Sequence, residues 1–145
     1  MHRLKTRSQF QAVLAGSTLA RTAHFALHGC ALEQAPAVNG IAVPLFPETG
    51  AWLGAMVPKR WAKRAVTRNA IKRQIYHVSI EFEPTLAACA HVVRLRAAFD
   101  RKHFVSATSD ALKAAVRTEL LQLFARAQAH QGRNNLQPPS AGGAR

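Results

Sequence analysis

The chain of 145 residues sets 20 Lys and Arg against 7 Asp and Glu, a formal net charge of +13 with an isoelectric point near 11.5. So strong an excess repels itself in isolation and is relieved by a polyanion, which makes nucleic acid the expected partner. No run of ~18 apolar residues argues for a transmembrane helix, and neither a long basic amphipathic helix nor an apolar anchor argues for a membrane surface.

The opening decapeptide, MHRLKTRSQF, is charged but has no apolar core behind it, so it does not read as a signal peptide. Cys30 and Cys89 are too few for a disulfide framework and fit buried thiols in a reducing cytoplasm. Nearly half the residues are apolar, enough for a single core over residues 1–130.

After a basic arm (Arg3, Lys5, Arg7), Ser8 and Gln11 have the spacing of a capping box, and Phe10, Val13 and Leu14 recur at helical intervals. These features predict a helix over 8–15, stopped by Gly16. Residues 23–32 alternate. Phe25, Leu27 and Gly29 point one way, and His24, Ala26, His28 and Cys30 the other, as in a strand. A loop follows, then GIAVPLF as a second strand at an edge position because of Pro44. PETG turns the chain into a third strand, AWLGAMV, whose end delivers Pro58, Lys59 and Arg60.

The main helix is expected from a cap at Thr67 to Phe82, with Ile71, Ile75, Val78 and Phe82 in one apolar stripe. A fourth strand is expected from His91, where Val93 and Leu95 alternate with Arg94 and Arg96. A second long helix is expected over about 107–128. Residues 131–145 have almost nothing to bury and read as a disordered polar tail rich in Pro and Gly. The order α-β-β-β-α-β-α makes this an α+β chain with helices packed on one sheet.

Between Lys59 and Arg73 the sequence is KRWAKRAVTRNAIKR. Lys59, Arg60, Lys63, Arg64, Arg68, Lys72 and Arg73 are basic, and no acid occurs between Glu48 and Glu81. A solvated helix face ordinarily mixes signs. An acid-free face braced by its own apolar stripe is instead suited to phosphates, with guanidinium forks, ammonium charges and the amide of Asn69 as donors.

Chemistry by this chain's own side chains finds little support. The seven acids stand apart, at 33, 48, 81, 83, 100, 110 and 119, with no cluster for a two-metal site. His24 and His28 on a strand would stand ~13 Å apart, and Cys30 adds no zinc spacing. The run G-A-M-V-P-K lacks the spacing of a phosphate loop. No catalytic residue and no metal ligand is therefore assigned. A DNA reader would want a helix–turn–helix, and strand and loop precede Thr67 instead. A general RNA chaperone or ribosome-associated RNA-binding protein is the alternative reading of the charge.

Arg68-Asn69-Ala70-Ile71-Lys72-Arg73, of the form R-N-x-x-K-R, follows a strand ending in Gly54, Val57, Lys59 and Arg60. Arg3, Leu4 and Phe10 lie ahead of Gly16, Phe25 and Leu27, and Val92, Val93 and Arg96 precede the last helix. In this order, over about 1–127, the chain resembles the protein subunits of bacterial ribonuclease P.

The resemblance implies a two-layer α/β sandwich with a four-stranded sheet and a left-handed β-α-β crossover at the basic motif. It implies an accessory role in removing the 5′ leader of precursor tRNA. The RNA subunit would hold the Mg²⁺ ions and cut, and the protein would need no cofactor or protein partner of its own. Lys59, Arg60, Lys63, Arg64, Arg68, Asn69, Lys72 and Arg73 would meet the RNA subunit. Arg3, Phe10, Leu14, Phe25, His28 and Arg96 would form the cleft for the leader. Three positions depart from the pattern: Ala70 where Arg is frequent, His28 where tyrosine is common, and Ala62 in place of a frequent Gly. The stretch 40–50 and the tail lie outside it.

Overall fold

A computed structural model describes residues 1–32, 37–38, 41–42, 46–86, 88–99 and 110–136, leaving aside the side chains of 37–38, 41–42, 85 and 130–136. The elements in order are β1 (His2–Arg3), α1 (Arg7–Leu14), β2 (Ser17–Arg21), β3 (Phe25–Cys30), β4 (Ala37–Val38), β5 (Ile41–Ala42), β6 (Trp52–Met56), α2 (Ala65–Phe82), a 3₁₀ turn (Glu83–Thr85), β7 (Ala90–Leu95) and α3 (Asp110–Leu136).

Among the described residues, five strands form one mixed sheet in the order β1-β6-β7-β3-β2, and β4 and β5 pair as a separate ribbon. Strand β6 runs parallel to β1 and β7, while β3 is antiparallel to β7 and β2. The expected four-stranded sheet is thus corrected to five strands. The expected strand at GIAVPLF contributes only Ile41–Ala42, in the ribbon, and residues 43–45 lie outside the described residues.

Alternation along the strands explains the layers. On one face, Phe25, Leu27, Leu53, Ala55, Val93 and Leu95 pack with Ile71, Ile75 and Val78 of α2 and with Leu112, Val116, Leu120, Leu123 and Phe124 of α3. On the other, Trp52, Ala90, Val92 and Cys30 pack with Leu4, Phe46 and Val13 of α1, against which Phe10 and Leu14 are half-buried. Helices therefore cover both faces, where the expected sandwich had one helical layer. Both parities of β3 are consequently buried, all six residues of it.

Helix α1 starts one residue before the expected span, and its capping box belongs to Thr6 and Gln9 instead of Ser8 and Gln11. The Gln9 N–H donates to Thr6 Oγ1 at 3.2 Å, and the Thr6 and Lys5 N–H groups donate to Gln9 Oε1 at 3.1 and 2.7 Å. Both pairs have the right spacing; the first also places Val13 against the sheet. Helix α2 begins at Ala65, so Thr67 is its third residue and not its cap. Helix α3 continues past residue 130, where composition suggested the tail begins, to Leu136; residues 137–145 lie outside the described residues.

Candidate nucleic-acid interface

At the end of β6 the chain turns on the carbonyl of Pro58, which accepts from the N–H groups of Trp61 and Ala62, both at 3.1 Å. Val57 and Ala62 are buried and Trp61 packs on the large core, so the turn is anchored from below. Lys59, Arg60, Lys63 and Arg64, on either side of these anchors, are exposed. The Arg60 guanidinium leans toward the Trp61 ring, 5.2 Å from its centroid.

Helix α2 follows at once. It begins without a side-chain cap and without an acid in its first turn. The positive end of its dipole therefore adds to the cations there. Arg68 has a second duty: its Nη1 donates to the carbonyls of Ala62 at 3.0 Å and Lys63 at 2.8 Å, clamping the turn onto the helix. Asn69 and Arg73 are exposed and Lys72 is half-buried, while Ala70 and Ile71 are buried on the opposite side. An arginine at position 70 would have to bend around the core edge to reach solvent.

Among the described residues, no ion pair engages the seven basic side chains of 59–73. Four of the described acids pair elsewhere, Glu48 with His2, Glu81 with Arg117, Glu83 with the amino group of Met1, and Glu119 with His24, and Asp110 stands in the first turn of α3. The eight residues expected to meet RNA are thus brought onto one turn and one helix face.

The six residues expected in a leader cleft are not brought together. Phe10 and Leu14, one helical turn apart, and His28 share the α1 face of the sheet. The Phe10 ring lies over Gly54, where an added Cβ would stand 2.6 Å from it, so only glycine admits this approach. Phe25 is fully buried on the opposite face, under α2 and α3, and is core. Strand parity is the reason, since residues three apart point to opposite faces.

Arg3 also stands apart from the cleft residues, with its Cζ 4.0 Å above the Tyr76 ring of α2. Arg96 Nη1 donates to the carbonyls of Thr22 at 2.9 Å and Ala23 at 3.1 Å, holding the β2–β3 turn.

On the α1 face the structure adds two residues that the sequence reading passed over. Arg94 Nε donates to His28 Nε2 at 3.3 Å, which leaves the ring proton on Nδ1 to be donated to Thr18 Oγ1 at 3.4 Å. Burial, then the charges of Arg94 and Arg21, hold His28 below its ordinary pKa. A neutral histidine beside a guanidinium results. The alternation Val93-Arg94-Leu95-Arg96 could have signalled Arg94, since it pairs across from Ala26 on the parity of His28.

Among the described residues no three His, Cys, Asp or Glu side chains gather to hold a metal ion, and no helix is long and apolar enough to cross a membrane.

The family model described as ribonuclease P matches residues 1–128. The ribonuclease P protein component of Bordetella avium is 37% identical over 131 residues, covering 90% of this chain and 89% of its own. Those of Ralstonia pickettii and Burkholderia pseudomallei are 34% and 31% identical, covering 84% and 96% of this chain and 76% and 91% of theirs. The solved RNase P protein of Staphylococcus aureus superposes with a TM-score of 0.60 at 19% identity, over 86% of this chain and 93% of that one, a likeness of fold. By the family model and these relatives together, the chain belongs to the ribonuclease P protein-component family, the protein subunits of the holoenzyme that cleaves precursor tRNA in 5′ maturation.

Proposed function

We propose that the turn 58–64 and α2 dock on the catalytic RNA of ribonuclease P while the α1 face of the sheet receives the unpaired 5′ leader. One observation carries this: seven cations sit on an anchored turn and a packed helix with no acid to neutralise them. Lys59, Arg60, Lys63, Arg64, Lys72, Arg73 and Asn69 contact phosphates directly. Arg68 holds the turn so that its neighbours are presented at fixed spacing.

Neutralising the RNA's phosphates lowers the Mg²⁺ concentration at which it folds. The ions at the scissile bond belong to the RNA, and the protein brings no cofactor and needs no protein partner. Such a complex works in the cytoplasm.

The leader crosses Phe10, Leu14, His28 and Arg94. An aromatic ring and a guanidinium together accept stacked, unpaired bases with little sequence preference. Phe25 and Arg96 take no part in that contact, and Arg3 belongs to another surface.

Reconstitution with the RNA subunit and precursor tRNA at low Mg²⁺ tests the reading. Stimulated 5′ cleavage is expected, and its absence would refute it. If about six phosphates are neutralised, log K falls with log salt at a slope of about −4 to −5. Arg64→Ala with Arg73→Ala should reduce that slope by about 1 to 2 without unfolding the chain.

A further inference from the structure

We propose that Arg3 and Tyr76 form a stacking site for one unpaired base of the catalytic RNA, resting on the reading above that α2 faces that RNA. Lys72, Tyr76, Ile80 and Glu83 follow one another at intervals of four, four and three, so they form a single ridge along the end of α2 and the turn after it. Arg3 reaches this ridge from β1, and its guanidinium lies 4.0 Å above the Tyr76 ring. Met1, Arg3, Tyr76, Ile80 and Glu83 line an open depression of about 270 Å³. That is shallow and small for a metabolite, whose enclosed sites run to roughly 300–1,000 Å³.

The chemistry of the rim selects the occupant. Arg3 is exposed and its guanidinium carbon sits 4.0 Å over the phenol ring, so a fork laid along that ring turns its other side to solvent. A base laid on that open side continues the stack, an arrangement RNA-binding proteins use on guanidinium planes as on aromatic rings. Ile80, 57% exposed, offers an apolar patch for the base's edge. Glu83 lines the depression at the C-terminal end of α2, where the dipole is negative, so a bare phosphate is disfavoured there. One oxygen of its carboxylate is held by the Met1 amino group at 2.7 Å, and the other remains to accept from the amino or imino groups of a base. Lys72, one turn N-terminal to Tyr76, is placed for the phosphate of the same nucleotide. Arg3, expected in the leader cleft, is thereby assigned to the RNA-subunit face.

Full-length chain and RNA subunit, without precursor, suffice to test this by equilibrium binding. Tyr76→Phe should bind within twofold of the parent, because the ring and not the hydroxyl stacks. Tyr76→Ala and Arg3→Lys should each weaken binding about tenfold. For Arg3→Lys the salt slope should stay unchanged, because the charge is kept and only the plane is lost. Parent-like thermal midpoints for Arg3→Lys and Tyr76→Phe separate binding from folding.

Parent-like affinity for both Arg3→Lys and Tyr76→Ala, with Arg64→Ala/Arg73→Ala weakened, would overturn this site and leave the docking face standing. Should the double variant also bind normally, the docking face itself falls. A loss seen only with leader-bearing precursor would return Arg3 to the cleft and overturn the assignment.

Discussion

The face of the sheet under α2 and α3 is closed by Phe25, Leu53, Ile75, Leu120, Leu123 and Phe124, all apolar and essentially without water contact. The face under α1 is thinner. Val13 and Val92 are buried there, but Phe10 and Leu14 are half-buried, and His28 and Arg94 bring polar groups into the layer. A face that is dry and apolar can serve stability alone, while one that leaves rings half-covered beside a guanidinium keeps free energy in reserve for a ligand. The two faces share the strands, so the division of labour rests on strand parity.

Truncation on each face breaks the comparison most directly. Phe124→Ala removes a ring stacked on Phe82 at 5.2 Å and should cost about 3–5 kcal/mol in urea unfolding, with a secondary loss of activity that follows the unfolded fraction. Phe10→Ala should cost less, about 1–2 kcal/mol, because the ring is only partly buried. Affinity for leader-bearing precursor over mature tRNA should nonetheless drop about tenfold. Equal stability losses, or an unchanged preference, would erase the distinction.

A smaller effect tests how α3 is fixed to the sheet. Glu119 accepts from Thr22 Oγ1 and the His24 N–H at 2.6 Å and pairs with His24 Nδ1 at 2.7 Å, and the His24 ring stacks on Phe99 at 4.0 Å. Glu119→Ala leaves those donors without their acceptor and should cost about 2–3 kcal/mol, read as a lower urea midpoint. Because the carboxylate ties the β2–β3 turn to the dry face, RNA affinity at neutral pH should hold once folding is corrected for.

Much of this was legible in the chain, and the failures share one cause. The basic surface could be read because its charge is local to fifteen residues, and α2 and α3 because their stripes are long. Strands β1 and β2 escaped notice. His2–Arg3 is two residues long, and Ser17–Arg21 lacks alternating apolar residues; each exists because β6 or β3 supplies hydrogen bonds. Two capping boxes overlap at Thr6–Gln9 and Ser8–Gln11, and packing on the sheet decides between them.

The residues expected in the cleft are gathered less well than those of the basic surface, because their grouping depends on which side of a strand each residue takes. The alternation of residues 23–32 already separates Phe25 from His28, yet a resemblance carried residue by residue placed them together. Arg3 and Tyr76 are 73 positions apart in the sequence, and only the fold brings them to 4.0 Å.

Acid should act on both faces, through one histidine on each. His91 is fully buried on the parity of Val93 and Leu95; its Nδ1–H donates to Trp52 O at 3.2 Å, and the Cys89 thiol meets its Nε2 at 3.4 Å. Burial outweighs these contacts and holds it below its ordinary pKa, as it does His28. A histidine so depressed takes its proton in the unfolded chain first. Its contribution is therefore complete above pH ~6.5 and is lost as pH falls below that, by up to about 1.4 kcal/mol per pH unit for each histidine. Urea midpoints should decline as pH falls below about 6.5. His91→Asn should flatten part of that decline while lowering stability at pH 7, and His28→Asn the remainder. A flat profile for the parent chain would contradict the burial argument on both faces.

The weakest expected effect lies on the rim between α2 and α3, where Arg117 Nη2 meets Glu81 at 2.7 Å. Both side chains are close to half-exposed, so water and salt screen the pair, and holding two long side chains in one geometry costs conformational entropy. Arg117→Ala should change stability by less than about 1 kcal/mol and, because Glu81 lies on α2 about two turns beyond Arg73, should leave it as an unpaired acid on the basic helix. A freed carboxylate there opposes phosphate approach, so a small loss of RNA affinity, about twofold at low salt and absent at high salt, is expected despite near-parental stability. Binding measured at two ionic strengths checks this. An affinity loss that persisted at high salt would mean that Arg117 itself touches the RNA, and that the docking surface extends from α2 onto α3.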